Sequence, residues 1–280
     1  MPKVKINDTE LYYVTQGTGT PIMFMHGGLG ADHSYFPPFF DHLADDYQLI
    51  YYDHRGNGRS QISTYEGITH ETWADDADAL REYLNHEKII LMGHSYGGFL
   101  AQEYAIRHAD HLDGLILLCT SPVLDYLDII KSNAKVKTDD SDILMAVEEV
   151  FSDTSVPNNA TFKDILGRLS PLYFYDYTPY EEILSEAFKD MIYTADAWNH
   201  SYSQCWEVFN VLPQLTTMTV PTLVISGADD WITPVAEGGQ RIHDALPNSD
   251  FVIFDKSGHY PYIEESERFF EILRHWLEEH

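Results

Sequence analysis

The sequence predicts an α/β protein with a mostly parallel central sheet, flanked by helices and interrupted by an inserted helical cap. Two observations predict this fold. Strand-like runs alternate with amphipathic helical runs along most of the 280 residues, which is typical of a parallel sheet covered on both faces. The alternation stops near residue 121 and resumes after residue 215. We therefore expect a core in two parts, 1–120 and 216–280, with the cap 121–215 inserted between them.

The elements can be assigned in order along the chain. A hairpin formed by 3–6 and 11–15 is predicted at one edge of the sheet. The other predicted strands are 22–25, 48–53, 89–92, 115–118, 222–226 and 251–254. Apolar residues recur at helical spacing in two places, namely Trp73, Ala77, Leu80 and Leu84, and near the C-terminus Phe269, Phe270, Leu273, Trp276 and Leu277. Inside the cap, 143–150 and 181–191 have helical patterns.

Composition excludes several classes of function. The chain has 45 acidic and 17 basic residues, a net charge of −28, and such a surface repels nucleic acid and anionic lipid. It contains no apolar run near the roughly 18 residues of a membrane span, and its first residues lack the apolar stretch of a signal peptide. Two cysteines are too few for a disulfide framework. We expect a cytoplasmic protein that acts on a small molecule and binds neither nucleic acid nor membrane, with its oligomeric state left open.

Ser95 lies in the sequence Gly93-His94-Ser95-Tyr96-Gly97, between a predicted strand and a predicted helix at 99–107. A G-x-S-x-G sequence in this context is typical of a nucleophile elbow. Glycines are needed because the turn brings other backbone very close, and the following helix N-terminus favours developing negative charge. The motif predicts that Ser95 is a nucleophile; the alternative is a tight turn with an idle serine.

A serine nucleophile needs a base, and in this arrangement an acid and a histidine follow it in that order. His259 lies in a glycine-containing loop after the last predicted strand, which predicts that it is the base. His94 is nearer in sequence, but as the neighbour of Ser95 it cannot readily turn its ring onto the hydroxyl. Asp229 and Asp230 both follow a predicted strand, and either could orient the base.

Acyl transfer also needs two preset donors for the oxyanion. The backbone N–H of Tyr96, the residue after the nucleophile, is one candidate, and Gly28 in the loop after the strand 22–25 is the other. A plain flexible turn is the alternative for that loop. The sequence shows no His-x-x-x-His or paired-cysteine pattern, so we expect no metal and no cofactor.

Aromatic residues are concentrated in 173–209. They are too dense for one buried helix face, so some of them should line a pocket for an apolar or ring-bearing substrate. Packing of the cap against the core is the alternative. The pocket candidates are Leu29, Tyr175, Trp198, Tyr202, Trp206 and Trp231.

Together these residues resemble the α/β-hydrolase superfamily, over both core segments. Within it the chain is similar to the proline iminopeptidase branch and its esterase and lactonase relatives. The resemblance is carried by His26-Gly27-Gly28, by 53–60, by Gly93-His94-Ser95-Tyr96-Gly97-Gly98 and by Pro221-Thr222-Leu223. The family pattern G-x-x-D-x-x-x-P assigns the acid to Asp230. Iminopeptidases usually have proline in place of Leu29 and glutamine in place of His54. They also hold the substrate amine with cap glutamates, whereas 196–201 contains none and Glu207 is the nearest.

The resemblance implies a serine hydrolase that cleaves a small ester, lactone or amide through an acyl-enzyme formed on the Ser95, His259 and Asp230 triad. Two enzyme alternatives use the same triad. One is an aminopeptidase of the proline iminopeptidase type, and the other is a hydrolase of carbon–carbon bonds or acyl-homoserine lactones. A non-catalytic ligand receptor on the same fold is the alternative from a different class.

Overall fold

A computed structural model describes residues 2–280 and contains one eight-stranded sheet. The strands are β1 Lys3–Ile6, β2 Thr9–Gln16, β3 Pro21–Met25, β4 Gln48–Tyr52, β5 Ile89–His94, β6 Leu112–Leu118, β7 Thr222–Gly227 and β8 Ser249–Phe254. Their order in the sheet is β1-β2-β4-β3-β5-β6-β7-β8. Only the pairs β1–β2 and β2–β4 are antiparallel. The predicted mostly parallel sheet, with a hairpin at one edge, is confirmed.

Twelve α-helices connect and cover the strands within the described residues. They are α1 Pro37–Phe40, α2 His70–Tyr83, α3 Tyr96–Arg107, α4 Leu127–Lys137, α5 Ser141–Val150, α6 Asn159–Leu169, α7 Glu181–Ala187, α8 Ala195–His200, α9 Leu212–Leu215, α10 Gly239–Ala245, α11 Pro261–Glu264 and α12 Ser266–Glu279. The helix expected over 181–191 therefore ends at Ala187, where the N–H of Phe188 bonds the carbonyl of Leu184. Beyond it the chain makes one more turn, in which the N–H of Met191 bonds the carbonyl of Phe188 at 3.2 Å, and no α-helix follows until α8.

Side chains of the central strands alternate between two apolar cores, one on each face of the sheet. In β5, Leu91 joins the core that contains α2 and α3, whereas Ile90 and Met92 join the core beneath α12. Burial on both faces explains why these strands are apolar throughout. The rigid sheet then fixes the positions at which its strands end.

Helices α4 to α9 lie between β6 and β7, and we call this part of the chain the insertion. It faces the loops that follow β3, β5, β7 and β8, since side chains from all of them line one cavity. The domain limits expected at 121 and 215 stay a prediction. Within residues 2–280, every helix is too short or too polar to cross a membrane.

Candidate active site

Ser95 occupies the turn between β5 and α3 with a φ of 56° and a ψ of −124°, a conformation that L-residues rarely adopt. Main-chain bonds hold it there. Its N–H donates to the carbonyl of Leu118 at 3.0 Å, and its carbonyl accepts from the N–H of Gly98 at 2.9 Å and from Thr120 Oγ1 at 2.8 Å. A Cβ at Gly97 would collide with main-chain atoms of Met25, so the glycine is required by close approach.

Asp230 follows β7 and is buried, with a hydrogen bond at each available position. Oδ1 accepts from the N–H groups of Ile232 at 3.0 Å and Thr233 at 3.1 Å. Oδ2 accepts from Thr233 Oγ1 at 2.6 Å and lies 2.7 Å from His259 Nδ1. Burial by itself raises the pKa of Asp230, but the facing His259 ring and the hydrogen bonds from His259 and Thr233 outweigh it and hold the pKa below its ordinary value.

The hydrogen bond between Asp230 and His259 fixes the tautomer of the His259 imidazole. An ionised carboxylate only accepts hydrogen bonds, so His259 Nδ1 carries the proton and Nε2 is left with its lone pair. A neutral imidazole with a bare Nε2 is the form that can take a proton from a hydroxyl. His259 and Ser95 both line the same cavity.

Asp229 has a different partner. Its carboxylate forms an ion pair with Lys137 of α4, and the Lys137 Nζ also donates to the Asp229 carbonyl at 2.9 Å. The two adjacent acids thus diverge, with Asp230 directed to His259 and Asp229 to the insertion. The role of Asp230 as the acid stays a prediction.

His94 is committed to a structural chain of hydrogen bonds. Its Nε2 donates to the carbonyl of His259 at 3.0 Å, because a carbonyl only accepts. Its Nδ1 therefore accepts from the hydroxyl of Tyr35 at 2.9 Å, and that hydroxyl accepts from the N–H of Gly27 at 2.6 Å. Burial lowers the pKa of His94 well below its ordinary value. Both ring nitrogens are occupied, which leaves His94 no position from which to act as a base.

The loop after β3 brings a second backbone donor near Ser95. A Cβ at Gly27 would lie 2.8 Å from the Ser95 Cβ, and the space around Gly28, whose φ is +41°, is open. The N–H of Gly27 is bound to Tyr35. No residue in the range 2–280 accepts a hydrogen bond from the N–H of Gly28 or of Tyr96. Two unpaired donors thus flank the serine, as an oxyanion requires.

A cavity of about 620 Å³ opens above Ser95. Its wall is mostly aromatic and aliphatic. The charged side chains among its described lining residues are Lys163, Glu181 and Lys189, all exposed at the rim. Aromatic residues on the wall that are not among the pocket candidates from the sequence include Tyr35, Phe99, Tyr126, Phe151, Phe162, Tyr173, Phe174, Tyr177, Phe188, Tyr193 and Tyr260.

Of the six pocket candidates, Trp198 and Trp206 lie on this wall, and the other four need correction. Leu29 and Trp231 are fully buried behind it, with Trp231 packed against Phe151 and Tyr173. Tyr175 is 55% exposed and points to solvent. Tyr202 lines a neighbouring depression instead.

That depression, of about 680 Å³, shares part of its wall with the cavity. The shared residues are Leu124, Tyr126, Val150, Trp198 and Trp206. Its remaining lining contains four acids and, within the described chain, no basic side chain; the acids are Asp125, Asp128, Asp153 and Glu207. Negative charge is therefore concentrated beside the cavity rather than inside it.

The charged loop 53–60 is tied to neighbouring parts of the core by ion pairs. Arg55 binds Asp76 through two hydrogen bonds of 2.7 and 2.8 Å, and Arg59 binds Asp32 at 2.7 Å. Among the described residues, two clusters each contain three side chains that could bind a metal ion. One is Asp78 with His108 and His111, and the other is Cys119 with Asp230 and His259. In each cluster a carboxylate already bonds a histidine.

Comparison with known proteins places the chain among hydrolases. The sequence model described as the alpha/beta hydrolase fold matches residues 20–266. The proline iminopeptidase PfmaB of Pestalotiopsis fici is 30% identical over 283 residues, which cover 98% of each chain. A proline iminopeptidase of Lactobacillus crispatus is 29% identical, covering 97% of this chain and 95% of its own.

Solved structures with the same fold include an esterase and a lactonase. A thermophilic esterase from Thermogutta terrifontis has a TM-score of 0.77 and 26% identity, with 100% of this chain and 99% of that chain covered. The enol-lactonase from Burkholderia xenovorans has a TM-score of 0.76 and 23% identity over 99% of each chain.

Proposed function

Because this chain belongs to the α/β-hydrolase family of enzymes, we propose that it is a serine hydrolase that forms an acyl-enzyme on Ser95 and cleaves small esters, lactones or amides, with a preference for esters of apolar acyl groups. The observation that carries this proposal is the hydrogen bond between His259 Nδ1 and Asp230 Oδ2, in a cavity whose wall also contains Ser95.

The proposed reaction proceeds in two halves. Ser95 Oγ attacks the carbonyl carbon while His259 Nε2 takes its proton, and Asp230 stabilises the resulting imidazolium. The N–H groups of Gly28 and Tyr96 stabilise the oxyanion. When the tetrahedral intermediate collapses, the bond to the leaving group breaks and His259 returns the proton to it. A water molecule, deprotonated by His259, then attacks the acyl-enzyme and releases the acid and Ser95.

The lining of the cavity supports an apolar acyl group. Burial of apolar substrate surface against its aromatic wall contributes roughly 25 cal/mol per Å² to binding. Its charged residues lie at the rim. A substrate amine bound deep in this cavity would have no carboxylate partner among the described lining residues apart from the exposed Glu181. This composition favours esters and lactones over substrates that carry a free N-terminal amine.

An aminopeptidase of the proline iminopeptidase type is the second candidate. The acidic depression favours it, because Glu207 lies there beside Trp206 on the shared wall. An amine that passed this wall would meet negative charge. Two of the most similar relatives are also proline iminopeptidases.

Two experiments test these proposals. The first is labelling with a serine-directed fluorophosphonate: wild-type protein should react and Ser95→Ala should not. Folded wild-type protein that does not react would contradict the acyl-enzyme proposal and favour a receptor.

The second experiment compares kcat/KM for p-nitrophenyl butyrate and for proline β-naphthylamide, in wild type and Glu207→Gln. We expect the ester to be the better substrate and Glu207→Gln to change neither value. If the proline amide is better by about tenfold or more after correction for leaving-group reactivity, and Glu207→Gln lowers only that activity, the aminopeptidase proposal replaces ours.

A further inference from the structure

Residues 173–176 of the insertion, which we call the strap, are bonded to the catalytic loops and their neighbours through four main-chain groups. The carbonyl of Tyr173 accepts from the N–H of His259 at 2.7 Å. The carbonyl of Phe174 accepts from Lys137 Nζ at 2.9 Å. The N–H groups of Tyr175 and Asp176 donate to Glu264 Oε1 at 2.8 and 3.2 Å.

Glu264 connects the strap to the loop of the base. Its other oxygen, Oε2, accepts from the N–H of Gly258 at 2.6 Å, so one carboxylate bridges the strap and the residue before His259. The two chains also lie in contact. A Cβ at Gly258 would collide with the carbonyl of Tyr173, and the ring of Tyr173 lies 5.3 Å from that of His259.

Lys137 connects the strap to the loop of the acid. Besides the carbonyl of Phe174, its Nζ binds the carbonyl and the carboxylate of Asp229. Asp229 is the residue before Asp230. The strap is thus tied on one side to the loop of His259 and on the other to the loop of Asp230.

We propose that Glu264 and Lys137 are positioning residues, which hold the loops of His259 and Asp230 at their mutual distance by anchoring both to the strap. This inference rests on the proposed function, because it assumes that His259 and Asp230 serve Ser95. Neither residue touches the reacting atoms. Each binds main-chain groups of a residue next to a member of the proposed triad.

The ionisation of Glu264 adds a pH-dependent element. Burial raises its pKa to about 7, although the hydrogen bonds from Gly258, Asp176 and Tyr175 and the charge of Lys137 lower it. Tyr180, whose hydroxyl donates to the Glu264 carbonyl, and the buried thiol of Cys119 also interact with this carboxylate. An ionised carboxylate accepts all three N–H groups, whereas a protonated one loses acceptor strength on one oxygen.

The test uses the full chain with the variants Glu264→Gln and Lys137→Met. Matched controls are Glu267→Gln and Lys135→Met, exposed residues on neighbouring turns. With p-nitrophenyl butyrate we expect kcat to fall by roughly 10- to 100-fold in the two test variants with KM little changed, since small displacements of catalytic groups reduce the rate strongly. The controls should behave as wild type.

The pH profile gives a readout that loss of stability alone would not produce. In wild type, protonation of Glu264 should weaken the anchoring in addition to the loss of the general base, so the fall in activity on the acid side should involve two protons. In Glu264→Gln it should fall with a single proton. Unchanged kcat and an unchanged profile in the test variants would overturn the inference, even if their melting temperatures were lower.

Failure of the inference can be distinguished from failure of the proposed function. If wild-type protein reacts with the fluorophosphonate and both test variants react at the same rate, the positioning role is wrong and the proposed function stands. If wild-type protein does not react, the proposed function itself is wrong. Should Glu264→Gln not fold, Lys137→Met decides, because it removes the other anchor.

Discussion

The ring of His94 donates a hydrogen bond from Nε2 to the main-chain oxygen of His259, 3.0 Å away. The residue beside the proposed nucleophile therefore holds the main chain of the proposed base. Tyr35 completes the chain of bonds by joining His94 Nδ1 to the N–H of Gly27, the neighbour of the proposed oxyanion donor. One buried network thus connects three loops of the site.

Tyr35→Phe should lower the free energy of unfolding by about 1–3 kcal/mol, because it leaves the N–H of Gly27 and Nδ1 of His94 buried without partners. Tyr262→Phe is a matched control, since in the described structure no group bonds the buried Tyr262 hydroxyl. Urea denaturation of both variants measures the difference. Equal stabilities for the two variants would contradict the network.

Ser95→Ala should lower kcat for ester hydrolysis by about 10⁴-fold or more, since the residues of a triad such as the one proposed here act as a unit. The fold should persist, because the bonds that hold residue 95 are made by its main chain. Steady-state kinetics, with circular dichroism as the control for folding, checks this. A variant that keeps more than about a tenth of wild-type activity would remove Ser95 from its proposed role.

Asp230→Asn should reduce kcat by orders of magnitude, because the amide no longer selects the tautomer of His259 that leaves Nε2 bare. Asp229→Asn is the matched control. It removes the ion pair with Lys137 but leaves the main-chain carbonyl of residue 229, which Lys137 also binds, so its effect should be much smaller. Kinetics with one ester substrate compares the two variants. The reverse order of effects would transfer the acid's role to Asp229.

Glu264 should make stability and activity respond to pH in opposite directions. Its pKa in the folded protein, about 7, lies above the ordinary value of 4.5. The folded state thus binds the proton more tightly, and the stability gained from this group is present below about pH 4.5 and lost as the pH rises through 7. Ionisation over the same range strengthens the proposed anchoring.

Urea denaturation at a series of pH values measures this effect. In Glu264→Gln the free energy of unfolding should decline less between pH 4.5 and 7 than in wild type. Parallel curves for the two proteins would show that Glu264 titrates at its ordinary value.

The sheet and the elbow could be predicted because local pattern determines them. Strands buried on both faces leave continuous apolar runs, and the turn at Ser95 needs glycine at Gly97, where other backbone passes within contact distance. The separation of Asp229 from Asp230 was predictable only through a family pattern. Its physical cause, Lys137, is 92 residues away along the chain.

The pocket was predicted poorly, since aromatic composition does not tell which side of an irregular segment faces inward. Tyr175 follows two inward-facing aromatic residues in the strap and points to solvent. Trp198 and Tyr202 stack on each other, yet only Trp198 reaches the cavity. Glu264 gave no signal in the sequence, because its partners are main-chain N–H groups, which every residue but proline possesses.

The strap has a consequence for how new selectivity can arise in this chain. The insertion supplies much of the cavity wall, and the same segment of backbone bonds His259 directly. Suppose that the insertion were replaced by that of a relative to obtain a different substrate range. The replacement would change both the cavity wall and the backbone groups that bond His259. The protein would remain active only if it presented the same carbonyl and N–H groups at 173–176, so substrate choice and turnover are inherited together.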